Sequence, residues 1–399
     1  MSLSLSATAR GVAPSATLKL NAAVAQMKRE GVPVLSLGAG EPDFDTPEHI
    51  RQAAIEALNT GKTRYTDVSG IPQLRQAIAD HIFAQKGLRY DARQVIVGAG
   101  AKQVLYHALQ AILNPGDEVV LPSPYWVSST EMIRMAGGVP VFVSTDPANF
   151  FLPTPEQMAA AITSRTKAMI LNSPNNPTGA VWPRELIAAA MELARQHDFW
   201  VISDEIYEAL VYGDMQHVSP ASISEDAYSR TIVISGFSKS YAMTGWRIGY
   251  GSGPRMVISA MAALQSHATG NVNSIAQYAA LAALQGPQDC VQQMKHSFER
   301  RRALMLDCVK DAGLTAGIQP QGAFYLLLDI RAAIGKSLDG QTITDDVSFS
   351  ELLLHHSFVA VVPGSPFGAP GFVRLSYAAA DTVITQAMER IGNFMRALQ

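Results

Sequence analysis

The sequence has little cysteine, no long apolar run and no large excess of either charge. Its two cysteines, Cys290 and Cys308, are too few for a disulfide framework and lack the spacing of a metal site. A net charge of −3 offers no basic surface for nucleic acid or for an anionic membrane. No stretch reaches about 18 consecutive apolar residues, so we predict no transmembrane helix. The few cysteines fit a reducing, cytoplasmic location.

Residues 1 to about 14 are predicted to form a loose arm. The first nine residues lack a charged segment followed by an apolar core, so we expect no signal peptide. The chain of 399 residues, 48% hydrophobic and 16% charged, is too long for one small core, and two domains are expected. No internal repeat or low-complexity tract is visible in it.

The stretch at 235–249 is the most informative part of the chain. The β-branched run at 231–234 before it predicts a short, buried, parallel strand. A lysine at the end of such a strand, here Lys239, loses solvation, so its pKa falls and its amine becomes nucleophilic. Such an amine suits a Schiff-base lysine, and Arg247, which lies between two glycines, suits an anion such as phosphate. The simpler interpretation is a surface loop with solvated charges.

Strands and helices alternate from about residue 90 to residue 250. This order predicts a mainly parallel sheet with helices on both faces, followed by a smaller α+β unit from about residue 290. In such sheets, ligands bind beyond the carboxyl ends of the strands. Polar or aromatic residues follow five predicted strands, at 98–102, Trp126, Asn176, 204–207 and Lys239. Their convergence predicts a binding site and weakens the surface-loop interpretation of Lys239.

Several of these residues also have a structural interpretation. The glycine turn at 98–102 either presents free N–H groups to a phosphate or is only a turn. Trp126 either packs in the core or stacks on a flat ring of a ligand. Asp204 either contacts a ligand or caps a helix. Arg374, in the middle of an apolar strand, needs a partner, which is either structural or a substrate carboxylate.

Three local predictions concern other parts of the chain. Thr46 is predicted to cap a helix at 48–60. The segment 265–273 is predicted to be a polar connection between two helices. Arg300, Arg301 and Arg302 are predicted to lie on a solvated face of a long helix.

Five motifs resemble those of the fold-type I pyridoxal-phosphate aminotransferases of class I/II, most closely the bacterial aspartate aminotransferase branch. They are Gly-Ala-Gly-Glu-Pro-Asp-Phe at 38–44, Ser-Pro-Asn-Asn-Pro-Thr-Gly at 173–179, Ser-Asp-Glu-Ile-Tyr at 203–207, Ser-Lys through Arg at 238–247 and Phe-Val-Arg-Leu-Ser at 372–376. The resemblance extends from Pro14 to the C-terminus. It implies an α/β fold with a large domain at 47–289, whose mainly parallel sheet is flanked by helices, and a small α+β domain built from 15–46 and 290–399.

The resemblance also implies pyridoxal 5′-phosphate as cofactor. Lys239 would hold it covalently and then move the substrate proton as general base and acid, while Asp204 would pair with the ring nitrogen. Together with Tyr207 these two are the catalytic residues that the resemblance implies. The other implied cofactor contacts are Tyr207 and Asn176 at the ring's 3′ oxygen and Trp126 on the ring. At the phosphate they are Arg247 and the N–H groups of Ala101 and Lys102, with Gly100 and Ser238 beside them, and Tyr65 reaches the phosphate of the neighbouring subunit.

Tyr65 in that role implies a homodimer with shared active sites. For the substrate, the resemblance implies that Arg374 grips the α-carboxylate and that the N–H of Gly40 assists it. Trp126 and Asn176 are implied to face the substrate as well. Closure of the small domain would then exclude water.

Three positions depart from the family pattern. Members that act on aspartate or glutamate need a cation for the second carboxylate, and in one branch an arginine of the partner subunit supplies it from the segment corresponding to 265–273. Here that segment has His267 and neither lysine nor arginine. Ala13, immediately before Pro14, stands where the bacterial branch most often has a lysine. Gly236 stands where some members have a phosphate-binding serine.

The expected function is ping-pong transamination between an L-amino acid and a 2-oxo acid such as 2-oxoglutarate. Aspartate is the first donor considered, and aromatic amino acids, methionine and alanine come next because of Ala13 and the segment 265–273. A carbon–sulfur lyase on the same scaffold is an alternative, since it would use the same lysine. A non-catalytic regulator is not expected, because such proteins carry an N-terminal DNA-binding domain and here only a short arm precedes the fold.

Overall fold

The computed structural model describes residues 4–14 and 16–399. Ser15, where the small domain is predicted to begin, and the first three residues of the predicted arm lie outside the described residues. The strands are β1 (Leu35–Ser36), β2 (Val95–Gly98), β3 (Glu118–Pro122), β4 (Val139–Val143), β5 (Thr166–Asn172), β6 (Trp200–Asp204), β7 (Thr231–Gly236), β8 (Gly249–Ser252), β9 (Thr315–Ala316), β10 (Tyr325–Asp329), β11 (Ser337–Leu338), β12 (Gln341–Thr342), β13 (Val359–Ala360), β14 (Val362–Pro363) and β15 (Phe372–Ser376).

The helices connect these strands and cover the sheets. They are α1 (Ala7–Gly11), α2 (Ala16–Arg29), α3 (Glu48–Asn59), α4 (Pro72–Lys86), α5 (Ala101–Ile112), α6 (Val127–Met135), α7 (Pro155–Ala160), α8 (Arg184–His197), α9 (Glu225–Arg230), α10 (Arg255–Ala268), α11 (Ser274–Gln285), α12 (Asp289–Asp311), α13 (Asp346–Ser357) and α14 (Asp381–Ala397). Among the described residues, no helix is both long enough and apolar enough to cross a membrane.

The larger sheet has seven strands in the order β2-β8-β7-β6-β5-β3-β4. Its strands run parallel except β8, which is antiparallel to both of its neighbours. The register places Asn172 beside Asp204 and Asp204 beside Ile234, so β5 and β6 end at one level and β7 continues two residues further, to Gly236. The α/β fold with a mainly parallel sheet is therefore confirmed, and the strand predicted at 231–234 is parallel on one side and antiparallel on the other.

Strand β8 was not predicted, because its sequence Gly-Tyr-Gly-Ser lacks a β-branched run. The glycine at its start has a steric reason. A Cβ at Gly249 would lie 2.4 Å from the backbone nitrogen of Ala101, the first residue of α5. The same is true of Gly236, where a Cβ would lie 2.8 Å from Cα of Gly249. Both glycines thus bring the end of β7 close to the start of α5.

The smaller sheet has the order β14-β15-β10-β9 and is antiparallel. Arg374 lies at its centre, opposite Leu327 on one side and Val362 on the other. A separate parallel pair, β1 with β13, ties the N-terminal part of the chain to the C-terminal part. The segments on both sides of the large sheet in sequence therefore share one small α+β unit, as predicted.

The prediction of a solvated face at 300–302 was wrong for two of its three arginines. Arg301 is largely buried and pairs with Asp43 at 2.6 Å and with Asp381 at 3.4 Å. Arg302 donates to the carbonyl of Pro320 (2.8 Å) and lies over a buried tyrosine ring. These partners are distant in sequence. The packing of α12 therefore largely buries Arg301 and Arg302, although the run of three charges suggested that they would be exposed.

Two other local predictions and the loose arm also need correction. Thr46 does not cap α3, because its hydroxyl donates to the carbonyl of Ala242 (2.7 Å) and accepts from the indole of Trp246 (2.9 Å). The segment 265–273 is not all connection, since α10 continues to Ala268 and Gln265 is buried. Within the arm, residues 7–11 form α1, and the side chain of Ser6 accepts a hydrogen bond at its start.

Candidate active site

A cavity of about 380 Å³ lies where β5, β6 and β7 end. Eleven of the thirteen predicted site residues line it, namely Gly40, Ala101, Lys102, Trp126, Asn176, Asp204, Tyr207, Ser238, Lys239, Arg247 and Arg374. The structure therefore brings together residues from five strand ends, the loop after β1 and the small sheet. The surface-loop interpretation does not hold for Lys239, which is partly buried and lines this cavity, whereas Arg247 also lines the cavity but is exposed.

Lys239 and Asp204 are the titratable pair at the floor of the cavity. Burial is the main cause that lowers the pKa of the Lys239 ammonium to about 8. Its Nζ donates to the carbonyl of Gly40. Burial raises the pKa of the Asp204 carboxyl to about 7, against the opposing effects of the Ile206 N–H bond and of Lys239. An amine with a lowered pKa opposite a buried carboxyl is typical of acid–base chemistry.

Arg374 enters the cavity from the small sheet and is 2% exposed. Its Nη1 donates to Oδ1 of Asn176 and its Nη2 to the carbonyl of Gly38, both at 3.0 Å. Its Nε is buried and has no hydrogen-bond partner among the described residues. Burial lowers the pKa of this guanidinium, since both of its partners are neutral. The side chain can therefore take an anion, and a carboxylate fits its planar fork.

The part of the cavity around Arg247 suits a second anion. Helix α5 begins at Ala101 with no side-chain cap, so its first N–H groups are available to a ligand. Gly100 precedes it with φ +84°, and a Cβ there would lie 2.6 Å from Nη2 of Arg247. Burial and the nearby Arg247 lower the pKa of Lys102. Among the described residues lining the cavity, Asp204 is the one acidic side chain, so these cations are not neutralised at this end.

The remaining predicted positions lie outside the cavity. Tyr65 is 97% exposed, and Gly100 contributes its backbone beside Arg247 without lining the cavity. His267 is exposed on α10. Ala13 is exposed, and its N–H donates to Glu131 at 3.3 Å.

Two aromatic residues of the site were missed by the sequence analysis. Tyr325 and Phe367 line the cavity, and the guanidinium of Arg374 lies over both rings. Tyr325 lies in the apolar strand β10, where an aromatic residue is typical of a core. The one signal that could have identified it is its place on the strand beside the one that carries Arg374.

A buried ionic network lies next to Asp204. One oxygen of the Glu205 carboxylate accepts from the hydroxyls of Ser203 (2.8 Å) and Ser219 (2.6 Å). Its other oxygen contacts Lys86 and lies 3.1 Å from His217. Although burial opposes ionisation, the contacts with Lys86 and His217 hold the pKa of Glu205 well below its usual range. Lys86 also pairs with Glu208, so two carboxylates share one ammonium.

We expect Lys86→Met to lower the free energy of unfolding by about 3–5 kcal/mol, because it leaves the buried Glu205 and the partly buried Glu208 without their shared cation. The measurement is urea unfolding followed by circular dichroism. Lys310→Met, at an exposed lysine of α12, is the matched control and should change little. Equal stabilities of the two variants would show that the network does not hold this part of the sheet together.

Comparison with known protein families assigns the chain to a class. The family model described as aminotransferase class I and II matches residues 32–391. The chain belongs to this family and is an aminotransferase.

Three relatives show where in the family it lies. The chain is 48% identical over 396 residues to an aspartate/prephenate aminotransferase of Cereibacter sphaeroides, covering 99% of both chains. It is 48% identical over 385 residues to an aspartate aminotransferase of Geobacillus stearothermophilus, covering 96% of this chain and 97% of the relative. A solved structure of aspartate aminotransferase from Thermus thermophilus with maleate superposes with a TM-score of 0.93 at 46% identity, covering 98% of this chain and 100% of that chain. The resemblance to the bacterial aspartate aminotransferases is thus confirmed.

Proposed function

We propose that this aminotransferase uses pyridoxal 5′-phosphate to transfer the amino group of L-aspartate to a 2-oxo acid, in a ping-pong exchange. The observation that carries the proposal is one cavity that is lined by Lys239 and Asp204 together with two arginines, Arg374 and Arg247. The names of the relatives, at 48% identity over nearly the whole chain, support aspartate as the donor.

The cavity fits the cofactor on structural grounds. Its cationic end at Arg247 and the uncapped start of α5 suit a phosphate, and Trp126 suits a flat ring. When bound, the cofactor supplies an electron sink that stabilises a carbanion at the substrate's Cα. Asp204 would face the ring nitrogen, where its buried carboxylate favours the protonated ring. Ala101, Lys102, Ser238 and Gly100 would surround the phosphate, and Tyr207 with Asn176 would bind the ring's 3′ oxygen.

In this proposal Lys239 both attaches the cofactor and moves the proton. Its lowered pKa keeps a large fraction of the amine neutral near pH 8, which a nucleophile and base requires. Arg374 binds the substrate α-carboxylate with the help of the Gly40 backbone, and so fixes Cα relative to the Lys239 amine. Lys239 would take the proton from the substrate's Cα and hold it on its Nζ.

The second carboxylate of aspartate needs a further cation, which neither Ala13 nor His267 supplies. Among the described residues lining the cavity, four carry cationic side chains: Lys239, Arg374, Arg247 and Lys102. The first three side chains have the roles given above, whereas Lys102 would serve the phosphate through its backbone N–H, which leaves its ammonium without a role. We therefore propose that the Lys102 ammonium, which lies 4.8 Å from the Trp126 ring centre, receives the distal carboxylate.

We expect Lys102→Met to lower kcat/KM for aspartate by about tenfold or more, because a charge-assisted hydrogen bond is lost. The value for alanine, which has no second carboxylate, should stay within about twofold, and Lys102→Arg should retain part of the aspartate activity. Steady-state kinetics with both donors make the comparison. An equal fall for aspartate and alanine would show that Lys102 serves the cofactor and not the distal carboxylate.

The acceptor is proposed to be 2-oxoglutarate, with prephenate as a second candidate. The name of the Cereibacter relative includes prephenate as well as aspartate, and this observation favours testing both acceptors. In the test, aspartate first transfers its amino group to the cofactor-loaded protein, and each acceptor is then added separately. If only 2-oxoglutarate accepts the amino group, prephenate is excluded as an acceptor. If both accept it, the protein has a dual acceptor specificity.

We further propose a cytoplasmic homodimer with shared active sites. The 97% exposure of Tyr65 in one chain supports this proposal, because a tyrosine that serves the neighbouring subunit must extend away from its own. We also propose the division into a large domain, 47–289, and a small domain, 15–46 with 290–399. The two separate main sheets and the β1–β13 pair support it.

A further inference from the structure

The guanidinium of Arg374 contacts two aromatic rings. Its Cζ is 4.4 Å from the ring centre of Tyr325 and 5.0 Å from that of Phe367. Both aromatic side chains are fully buried and line the cavity. We call Tyr325 and Phe367 the aromatic clamp. Cation–π contacts of this kind gain strength when water is excluded.

The clamp holds a cation without neutralising it. The hydrogen-bond partners of Arg374 are the side-chain oxygen of Asn176 and the carbonyl of Gly38, and neither carries a charge. A carboxylate partner would order the guanidinium equally well, but it would compete with an incoming substrate carboxylate. Aromatic faces order the plane of the guanidinium and leave its edge, including the unpartnered Nε, for an anion.

Tyr325 is itself fixed by a second contact in the site. Its hydroxyl and that of Tyr207 are 2.9 Å apart, and the two rings meet edge to face with centres 5.8 Å apart. Its hydroxyl is also the nearest atom, at 3.6 Å, to where a Cβ on Gly40 would be. The residue therefore contacts both the arginine and the tyrosine that the proposed function assigns to substrate and cofactor.

We propose that Tyr325 is a positioning residue that, with Phe367, orients Arg374 for the substrate carboxylate. This inference rests on the proposed function of Arg374. The ring of Tyr325 carries the effect, and its hydroxyl serves mainly to hold the ring in place.

The test compares Tyr325→Leu with Tyr325→Phe in the cofactor-loaded protein. The measurement is the dissociation constant of maleate, a dicarboxylate, from titration of the absorption of the bound cofactor, with kcat and KM determined separately. Because Tyr325→Leu removes the ring face, we expect the maleate constant and the KM of both substrates to rise about ten- to thirtyfold, while kcat falls by less. Tyr325→Phe keeps the ring and should change the maleate constant by less than about threefold.

Tyr377→Leu is the matched control, since Tyr377 is fully buried in the same core, next to β15, and does not line the cavity. It should lower the unfolding temperature and leave the maleate constant unchanged. If Tyr325→Leu does not fold, Phe367→Leu removes the other half of the clamp and should weaken maleate binding. An unchanged constant in the folded clamp variant, an equal rise in Tyr377→Leu, or an equal loss in Tyr325→Phe would overturn the proposal. Failure of the wild-type protein to bind maleate would instead refute the proposed function.

Discussion

Lys239→Ala is expected to reduce transamination to below about 10⁻⁴ of the wild-type rate, because it removes both the covalent tie to the cofactor and the proton-transfer group. The lowered pKa of this buried amine suits both tasks. The measurement is single-turnover conversion of the bound cofactor by aspartate. The variant should still fold and still bind the phosphate end of the cofactor, since Arg247 and the start of α5 are intact.

Borohydride reduction tests whether Lys239 attaches the cofactor, separately from its role in catalysis. In the wild-type protein it should fix the cofactor permanently to the peptide that contains Lys239, as found by mass spectrometry. Lys102→Ala removes the other cavity lysine and serves as the control, because it should leave this adduct in place. Normal turnover in Lys239→Ala, or an adduct on Lys102 in the wild-type protein, would contradict the mechanism.

The second large effect is expected at Arg374. Arg374→Ala should lower kcat/KM for aspartate and for 2-oxoglutarate by about 30- to 3,000-fold, as expected for a lost charge partner worth about 2–5 kcal/mol. We expect kcat/KM to fall for both substrates, because each carries a carboxylate at the position that Arg374 is proposed to bind. The loss should be found mainly in KM, and direct titration with maleate should show the same loss of affinity.

Arg374→Lys tests whether the planar fork matters as well as the charge. A lysine keeps the positive charge but cannot bind a carboxylate through two parallel N–H groups, so we expect it to recover only part of the activity. An unchanged KM in Arg374→Ala would mean that the α-carboxylate is bound elsewhere in the cavity.

Residues at strand ends were the most predictable part of this site. Lys239, Asp204 and Asn176 each follow a buried, apolar strand, and parallel strands bring their carboxyl ends to one edge. The register of β5, β6 and β7 brings these three strand ends together at one edge of the large sheet. The sequence pattern could therefore predict which side chains meet, although their roles remain proposals.

The parts that could not be predicted depend on contacts between distant segments. Arg301 is buried because Asp43, 258 residues away, pairs with it, and a run of three arginines carries no sign of this. Tyr325 lies in an apolar strand and looks like a core residue until the neighbouring strand brings Arg374 beneath its ring. Strand β8 is rich in glycine because β7 and α5 pass close to it, which reduces its β-propensity.

The half-reaction tests the central claim most directly. The protein loaded with pyridoxal 5′-phosphate is mixed with aspartate in the absence of any 2-oxo acid, and the absorption of the bound cofactor is followed. We predict rapid, saturable conversion to the amine form of the cofactor, complete reversal on addition of 2-oxoglutarate, and slower conversion by alanine, methionine and aromatic amino acids. No conversion by aspartate, together with rapid conversion by an apolar or aromatic donor, would contradict the proposal that this aminotransferase acts on aspartate.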